Sequence, residues 1–220
     1  MSFFKRFILS VFVLSFSVSL WAEGLDTSAD TFFISLPDEE TEYLNMSLKD
    51  EMVDKYYCAK GSKTRNLLGG ESWITYIDLK RIDVTLAAEK CFMSIKCYDK
   101  KRGELVYAVV KTIYTPIADS EIVFYNKSRE KLDSNKLIEL PKFKDFFGMT
   151  SDKELREVMD KISMMFIKVD ISEEGDLLFS LNDMWFDVLD SDISAKLLQI
   201  KYNAPLRYKW SGKRFKMVES

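Results

Sequence analysis

Residues 104–126 read ELVYAVVKTIYTPIADSEIVFYN, from Glu104 through Pro116 to Asn126. Two runs rich in β-branched and aromatic residues flank the proline. Such side chains suit a pleated, half-buried surface, and proline cannot donate to a ladder. The pattern predicts strand, turn, strand, and the centre of a sheet.

The same signal extends towards the N-terminus. Trp73, Thr75, Ile77 and Leu79 alternate with Ile74, Tyr76, Asp78 and Lys80, and Val84 and Leu86 continue after a turn around Lys80–Asp83. Met93, Ile95 and Cys97 then fall on one side, with Phe92, Ser94, Lys96 and Tyr98 on the other. Period two marks a half-buried sheet. Asp99 to Gly103 (DKKRG) supplies a charged hairpin turn. Short turns favour antiparallel neighbours over crossover helices.

Ahead of the strands, LPDEETEYLNMSLKDEMVDKYYC repeats Leu44, Leu48, Met52 and Tyr56 every four residues. That spacing predicts an amphipathic helix opening at Asp38, broken near Asn45–Ser47, with Ser47 capping a second piece. Ala59–Gly70 is a glycine-bearing loop holding Lys60, Lys63 and Arg65, which reads as solvated surface.

Beyond the central stretch, Leu137–Phe147 gathers apolar residues around Pro141, and Gly148–Ser151 is the best internal boundary. Ser151 and Glu154 form a capping box for a helix running to Phe166. Ile167–Leu181 predicts strand, turn at Gly175, strand. Ser191–Ile200 predicts a short helix, and Leu206–Val218 a hairpin closed by a two-residue Ser211-Gly212 turn. The fold class is α+β: antiparallel sheet with flanking helices, in two helix-then-strands halves.

Composition narrows the function classes. The chain has 220 residues, 47% hydrophobic and 30% charged, an ordinary globular balance. Residues 1–22 (MSFFKRFILSVFVLSFSVSLWA) join a basic pair, Lys5 and Arg6, to an apolar run and a small residue at Ala22. This is the layout of a secretory signal peptide. Residues 23–220 then form one α+β domain, or two lobes meeting near 148–151, in the periplasm or outside the cell. No later segment is apolar enough to span a membrane. Net charge is −3, which offers no basic field for nucleic acid.

The chain has no histidine. That excludes Ser-His-Asp and Cys-His catalysis and His-ligated metals. Ser120 would need a lysine base such as Lys111, and it reads instead, with Asp119, as turn chemistry. Cys91 and Cys97 share one strand phase roughly 20 Å apart, too far for a disulfide, while a bridge from Cys58 to either stays open. The alternative is three thiols acting as small apolar residues. Asp176, Asp183, Asp187, Asp190 and Asp192 are oxygen-rich, but their spacing fits no EF-hand loop, and a solvated loop with a helix cap is favoured over a cation site. No cofactor is implied.

The segments LPDEETEYLN, KDEMVDKYY, NLLGGES, VVKTIYTPIADSEIVFYN and the closing LRYKWSGKRF resemble a domain-of-unknown-function family of secreted proteins from Bacteroidales-type bacteria. The resemblance covers most of residues 35–215. It implies a secreted, periplasmic α+β protein and brings no activity with it.

Aromatic residues are the remaining candidates: Trp73, Tyr76, Tyr208 and Trp210 stand out as binding aromatics for a sugar or peptide groove. The expectation is an exported, non-enzymatic binding or accessory module of the envelope, meeting protein, peptide or glycan through a sheet face or edge. Its rivals are a carboxylate-based glycan hydrolase and a secreted inhibitor projecting Ala59–Gly70 or the 99–103 turn.

Overall fold

The computed structural model describes residues 27–88, 90–114 and 117–218. Residues 1–22, which the sequence reads as a signal peptide, and Pro116 lie outside the described residues. Two antiparallel sheets carry the fold, one of six strands and one of four.

The first sheet is a meander in sequence order: β1 (Thr64–Arg65), β2 (Glu71–Ile77), β3 (Arg81–Ala87), β4 (Cys91–Asp99), β5 (Leu105–Tyr114) and β6 (Ala118–Tyr125). β5 and β6 pair from Tyr107↔Tyr125 to Tyr114↔Ala118, so the stretch read first in the sequence is a hairpin. Val106, Tyr107, Ala108, Val109 and Val110 are all buried. Burial on both faces explains why β5 reads as a continuous apolar run rather than an alternation.

One face of this sheet lies under α1 (Ala29–Ile34) and α2 (Met46–Cys58). Phe32 stacks on Tyr107 with ring centroids 3.9 Å apart and planes within 6°. Met52, Val53 and Tyr56 of α2 join Ile74, Ile82, Ile95 and Val109 in the same core. The acidic DEETE segment between the helices is held at three points: Asp38 to Lys49 at 3.1 Å, Glu40 to Lys131 at 2.7 Å and Glu42 to Lys111 at 2.9 Å. Lys49 has no exposed side-chain surface, and its ammonium also donates to the Leu36 carbonyl. The cap of α2 is Asn45, whose side chain accepts from Leu48 N–H, and not Ser47, which is the second residue of the helix. Residues 38–41 form a separate 3-10 turn.

The second sheet has the order β10-β9-β8-β7. Its strands are β7 (Ile167–Ile171), β8 (Leu177–Leu181), β9 (Leu206–Trp210) and β10 (Phe215–Val218). It packs on the other face of the first sheet. Val169, Phe179, Tyr208 and Phe215 meet Tyr98, Ala108, Val110 and Phe124 there. The helices α3 (Ser134–Leu137), α4 (Lys153–Lys161), α5 (Trp185–Val188) and α6 (Ser191–Ile200) surround this second core. Leu155 and Met159 of α4 and Leu197 of α6 point into it. The N-cap of α4 is Asp152, which accepts from Glu154 and Leu155 N–H, so the predicted Ser151 cap is displaced by one residue. The β9–β10 loop holds four residues: Ser211 N–H donates to Arg214 C=O, and Gly212 takes φ of 78° where a side chain would be strained.

Asp119 and Ser120 lie in β6 and not in the preceding turn. Asp119 Oδ1 accepts from Ile167 N–H at 3.2 Å, and Ser120 Oγ accepts from Val169 N–H at 2.9 Å. The side chains of one sheet edge thereby satisfy backbone donors on the other, which would otherwise form a bare edge. Tyr98 O–H adds a 2.7 Å bond to Gly175 C=O across the same seam.

The three thiols are free. Cys58 is exposed, and Cys91 and Cys97 are buried. Burial pushes both buried thiols above their usual range, so they behave as apolar filling.

Candidate functional site

The second sheet covers only part of the face it packs on. Across the register, Asp83↔Ser94↔Val110 and Thr85↔Phe92↔Thr112 run side by side from β3 to β5. Val110 belongs to the second core, whereas Phe92 is exposed. The cover thins at the second row, where Thr85 and Thr112 stay buried and Phe92 between them is exposed. What lies beyond is a groove of about 480 Å³ with β3, β4 and β5 as its floor and β7 as one wall.

Aromatic rings line the open part. Phe92 and Tyr114 meet edge to face at 5.4 Å. Trp73 pairs with Thr85 and Tyr76 with Asp83, so both rings extend the same face onto β2. Lys63, itself paired with Glu71 at 2.7 Å, sits 5.0 Å over the Trp73 ring. The Arg81 guanidinium lies 5.7 Å from the Tyr76 ring. These cations shield one side of each ring through the ring quadrupole.

Charge is supplied in matched pairs. Arg81 Nε donates to both Asp83 carboxylate oxygens, at 3.0 and 3.1 Å, and its Nη1 donates to Ser172 C=O at 2.9 Å. On the β7 wall, Lys168 pairs with Asp170 at 2.9 Å. Burial works to lower Lys168, but the Asp170 hydrogen bond and charge outweigh it, and the ammonium ends above its usual range. Near the rim, Tyr76 O–H donates to Asp78 at 2.8 Å, which raises the phenol. Burial pushes Asp78 up, yet the Tyr76 hydroxyl and the Lys80 and Arg81 amides leave it below the usual carboxylate range. The face therefore presents planar, fixed polar groups beside flat rings.

The four aromatics singled out from sequence are not brought together. Trp73 and Tyr76 stand on the open face. Tyr208 is buried against Phe179 at 4.8 Å, and its phenol is raised to about 12 by that burial. Trp210 packs 5.5 Å from Tyr98 and donates its indole N–H to Asp99 C=O at 2.7 Å. Phe92 and Tyr114 replace them at the site. Phe92 did carry a signal, since it occupies the polar phase of β4 with Ser94 and Lys96. Lys168 and Asp170 carried none, because only tertiary packing brings β7 to the groove.

The other sequence candidates are engaged structurally. Ser120 Oγ lies 2.7 Å from Thr112 Oγ1, while Lys111 faces the helices and pairs with Glu42. Lys111 is therefore not placed to act as a base for Ser120. Asp176 binds Arg207, Asp183 binds Lys201, and Asp190 caps α6. Among the described residues, no three His, Cys, Asp or Glu side chains gather to hold a metal, and no helix is long and apolar enough to cross a membrane.

Fold and site together define an α+β protein whose partly bare antiparallel sheet presents aromatic and ion-paired side chains. The chain belongs to the DUF3256 family, described as a protein of unknown function, whose model matches residues 22–215. It is similar to the solved structure of a domain of an uncharacterized protein from Porphyromonas gingivalis W83, at 17% identity and a TM-score of 0.71. That alignment covers 86% of this chain and 96% of the other, and at this identity it shows a shared fold. None of the curated proteins matches the chain.

Proposed function

We propose that the protein is an exported, non-enzymatic binding module of the cell envelope, periplasmic or secreted, and that the open face of the first sheet takes a glycan. The half-bare face carrying Trp73, Tyr76, Phe92 and Tyr114 beside two ion pairs is the observation behind this reading. Sugar rings offer C–H faces to aromatic rings and hydroxyls to fixed carboxylate and guanidinium groups. Export is supported by the signal-like residues 1–22, by a family match that begins at residue 22, and by the resemblance to secreted proteins of Bacteroidales-type bacteria.

The hydrolase reading has a weaker basis. Asp83 and Asp170 both line the groove, but each is tied to its own cation. The carboxyls whose ionisation is displaced, Glu40, Asp78, Glu104, Asp152 and Glu174, all move downward. A general acid needs the opposite shift. Titration of soluble envelope oligosaccharides, followed by calorimetry, tests the proposal. Saturable binding without bond cleavage, lost in Tyr76→Ala/Phe92→Ala, is expected. Release of reducing sugar, or no heat with any oligosaccharide, defeats it.

The inhibitor reading has one observation of its own. Leu67 and Leu68 are exposed at a loop tip, while Asn66 beneath them is buried. Asn66 donates to Ser72 Oγ and Leu86 C=O and accepts from Leu68 and Gly70 N–H. A rigid tip with two bare leucines suits insertion into a partner's cleft. Under this reading Leu67→Asp/Leu68→Asp abolishes capture of an envelope hydrolase that the wild-type protein inhibits, and unchanged inhibition removes it.

A further inference from the structure

The two sheets have four edges, and three of them are managed. β1 is two residues long. β6 and β7 face each other through Asp119 and Ser120. β10 is different: among the described residues it pairs with β9 alone. Ser211 N–H to Arg214 C=O closes the hairpin, and Phe215↔Trp210 follows in register. The alternation of an antiparallel ladder then turns the Lys216 and Val218 backbone groups towards β9, and those of Phe215 and Met217 outward.

The outward side opens onto a trough. Two clefts, of about 480 and 730 Å³, adjoin along β10 and share Lys144, Asp145 and Met217. One runs past Arg214 and Phe215, the other past Val218 and Met149. The segment before α4 forms the far wall. Met149, Tyr202 and Met217 leave apolar surface exposed in it. Of the residues lining the two clefts, five are Lys or Arg and two are acidic. Lys144 is paired with Asp160. Lys142, Arg214 and Lys216 have no ion-pair partner among the described residues. This is a local basic trough on a chain whose net charge is −3.

We infer that the free edge of β10 takes an extended acidic segment of a partner protein by strand addition, with apolar side chains of the segment entering the trough beside Met217. Backbone pairing to Phe215 and Met217 supplies the affinity, and the cations select acids on the incoming strand. A second copy of this chain is the wrong occupant. Two β10 edges laid antiparallel with Phe215 opposite its own copy would set Lys216 of each against Arg214 of the other, and like charges across a ladder repel. The inference is independent of the glycan face, which lies on the other sheet.

A labelled hexapeptide alternating valine with aspartate is the probe, with a valine–lysine hexapeptide as its counterpart, and anisotropy is the readout. The acidic peptide binds and the basic one does not. Arg214→Glu/Lys216→Glu, two exposed substitutions that leave the fold intact, weakens binding by about tenfold. Hydrogen exchange slows at the Phe215 and Met217 amides when peptide is bound, an effect that diffuse charge attraction does not produce. Met217→Pro removes one of those donors and abolishes binding. Equal binding of both peptides, unchanged exchange at residues 215 and 217, absence of binding, or self-association that Met217→Pro dissolves would each overturn the inference.

Discussion

On one face of the first sheet, Ile82, Val84, Met93, Ile95 and Val109 disappear beneath α1 and α2. On the other, the apolar cover thins beyond Val110 and gives way to Phe92 and Tyr114. The first face is closed by the segment that immediately precedes the sheet in sequence, through broad ring stacking and three charge contacts on one acidic turn. The second is closed from a distance by residues 137–215, which pack a second apolar core on part of it and add directional bonds along the seam. A face sealed by area has nothing left to offer a ligand. A face covered over only part of its extent keeps its remainder open.

The contrast can be broken most severely at Phe32. Phe32→Ala removes a fully buried ring from its stack on Tyr107, and about 3–5 kcal/mol of stability should go with it in urea unfolding. Loss comparable to a surface mutant would mean that the helices are not what seals this face. Ser120→Ala acts on the seam instead. It strips the acceptor from Val169 N–H, and a cost of about 1–2 kcal/mol is expected, with faster amide exchange at Val169. Tyr98→Phe removes the bond to Gly175 C=O while keeping the ring, and about 1 kcal/mol is expected from the same unfolding measurement.

A smaller effect sharpens the comparison through pH. Burial raises Glu40, but the Lys131 ammonium 2.7 Å away and the charge of Lys111 help to outweigh it, and the carboxyl sits below its usual value of 4.5. The unfolded chain therefore takes up this proton first as pH falls. The stability Glu40 contributes is complete above about pH 5 and is lost as pH drops through its lower folded value. Glu40→Gln should flatten the acid limb of a stability–pH curve below pH 5 by about 0.5 kcal/mol, and an unchanged limb would show the clasp to be inert. Least of all should stability respond to Tyr76→Ala. A partly exposed ring on the open face costs about 0.5 kcal/mol, and glycan binding is where its loss should register.

Much of this architecture was legible along the chain. The 104–126 hairpin, the alternation of β2 to β4, the Gly175 turn and the α6 helix follow from local periodicity, which neighbouring strands preserve. Caps slipped by one or two residues at Ser47 and Ser151 because Asn45 and Asp152, equally good acceptors, sat beside them. The site was half legible. Trp73 and Tyr76 emerged as aromatics in a strand, but Tyr208 and Trp210 looked the same in sequence and were taken up by the second core. What separated the two pairs was where the second sheet ended on the first, a tertiary fact with no local signature. Asp119 and Ser120 read as turn residues for the same reason: nothing in a β-hairpin announces that its side chains will replace a neighbouring strand.

Arg81 belongs to both regions at once. Its Nε grips Asp83 on the groove floor while its Nη1 holds Ser172 C=O in the β7–β8 turn of the other sheet. A ligand that recruits this guanidinium competes with the seam for it. Occupancy of the face and looseness of the β7–β8 turn are then linked quantities, and the linkage runs equally in both directions. Whatever pulls on the second sheet would be felt as a change in affinity on the first.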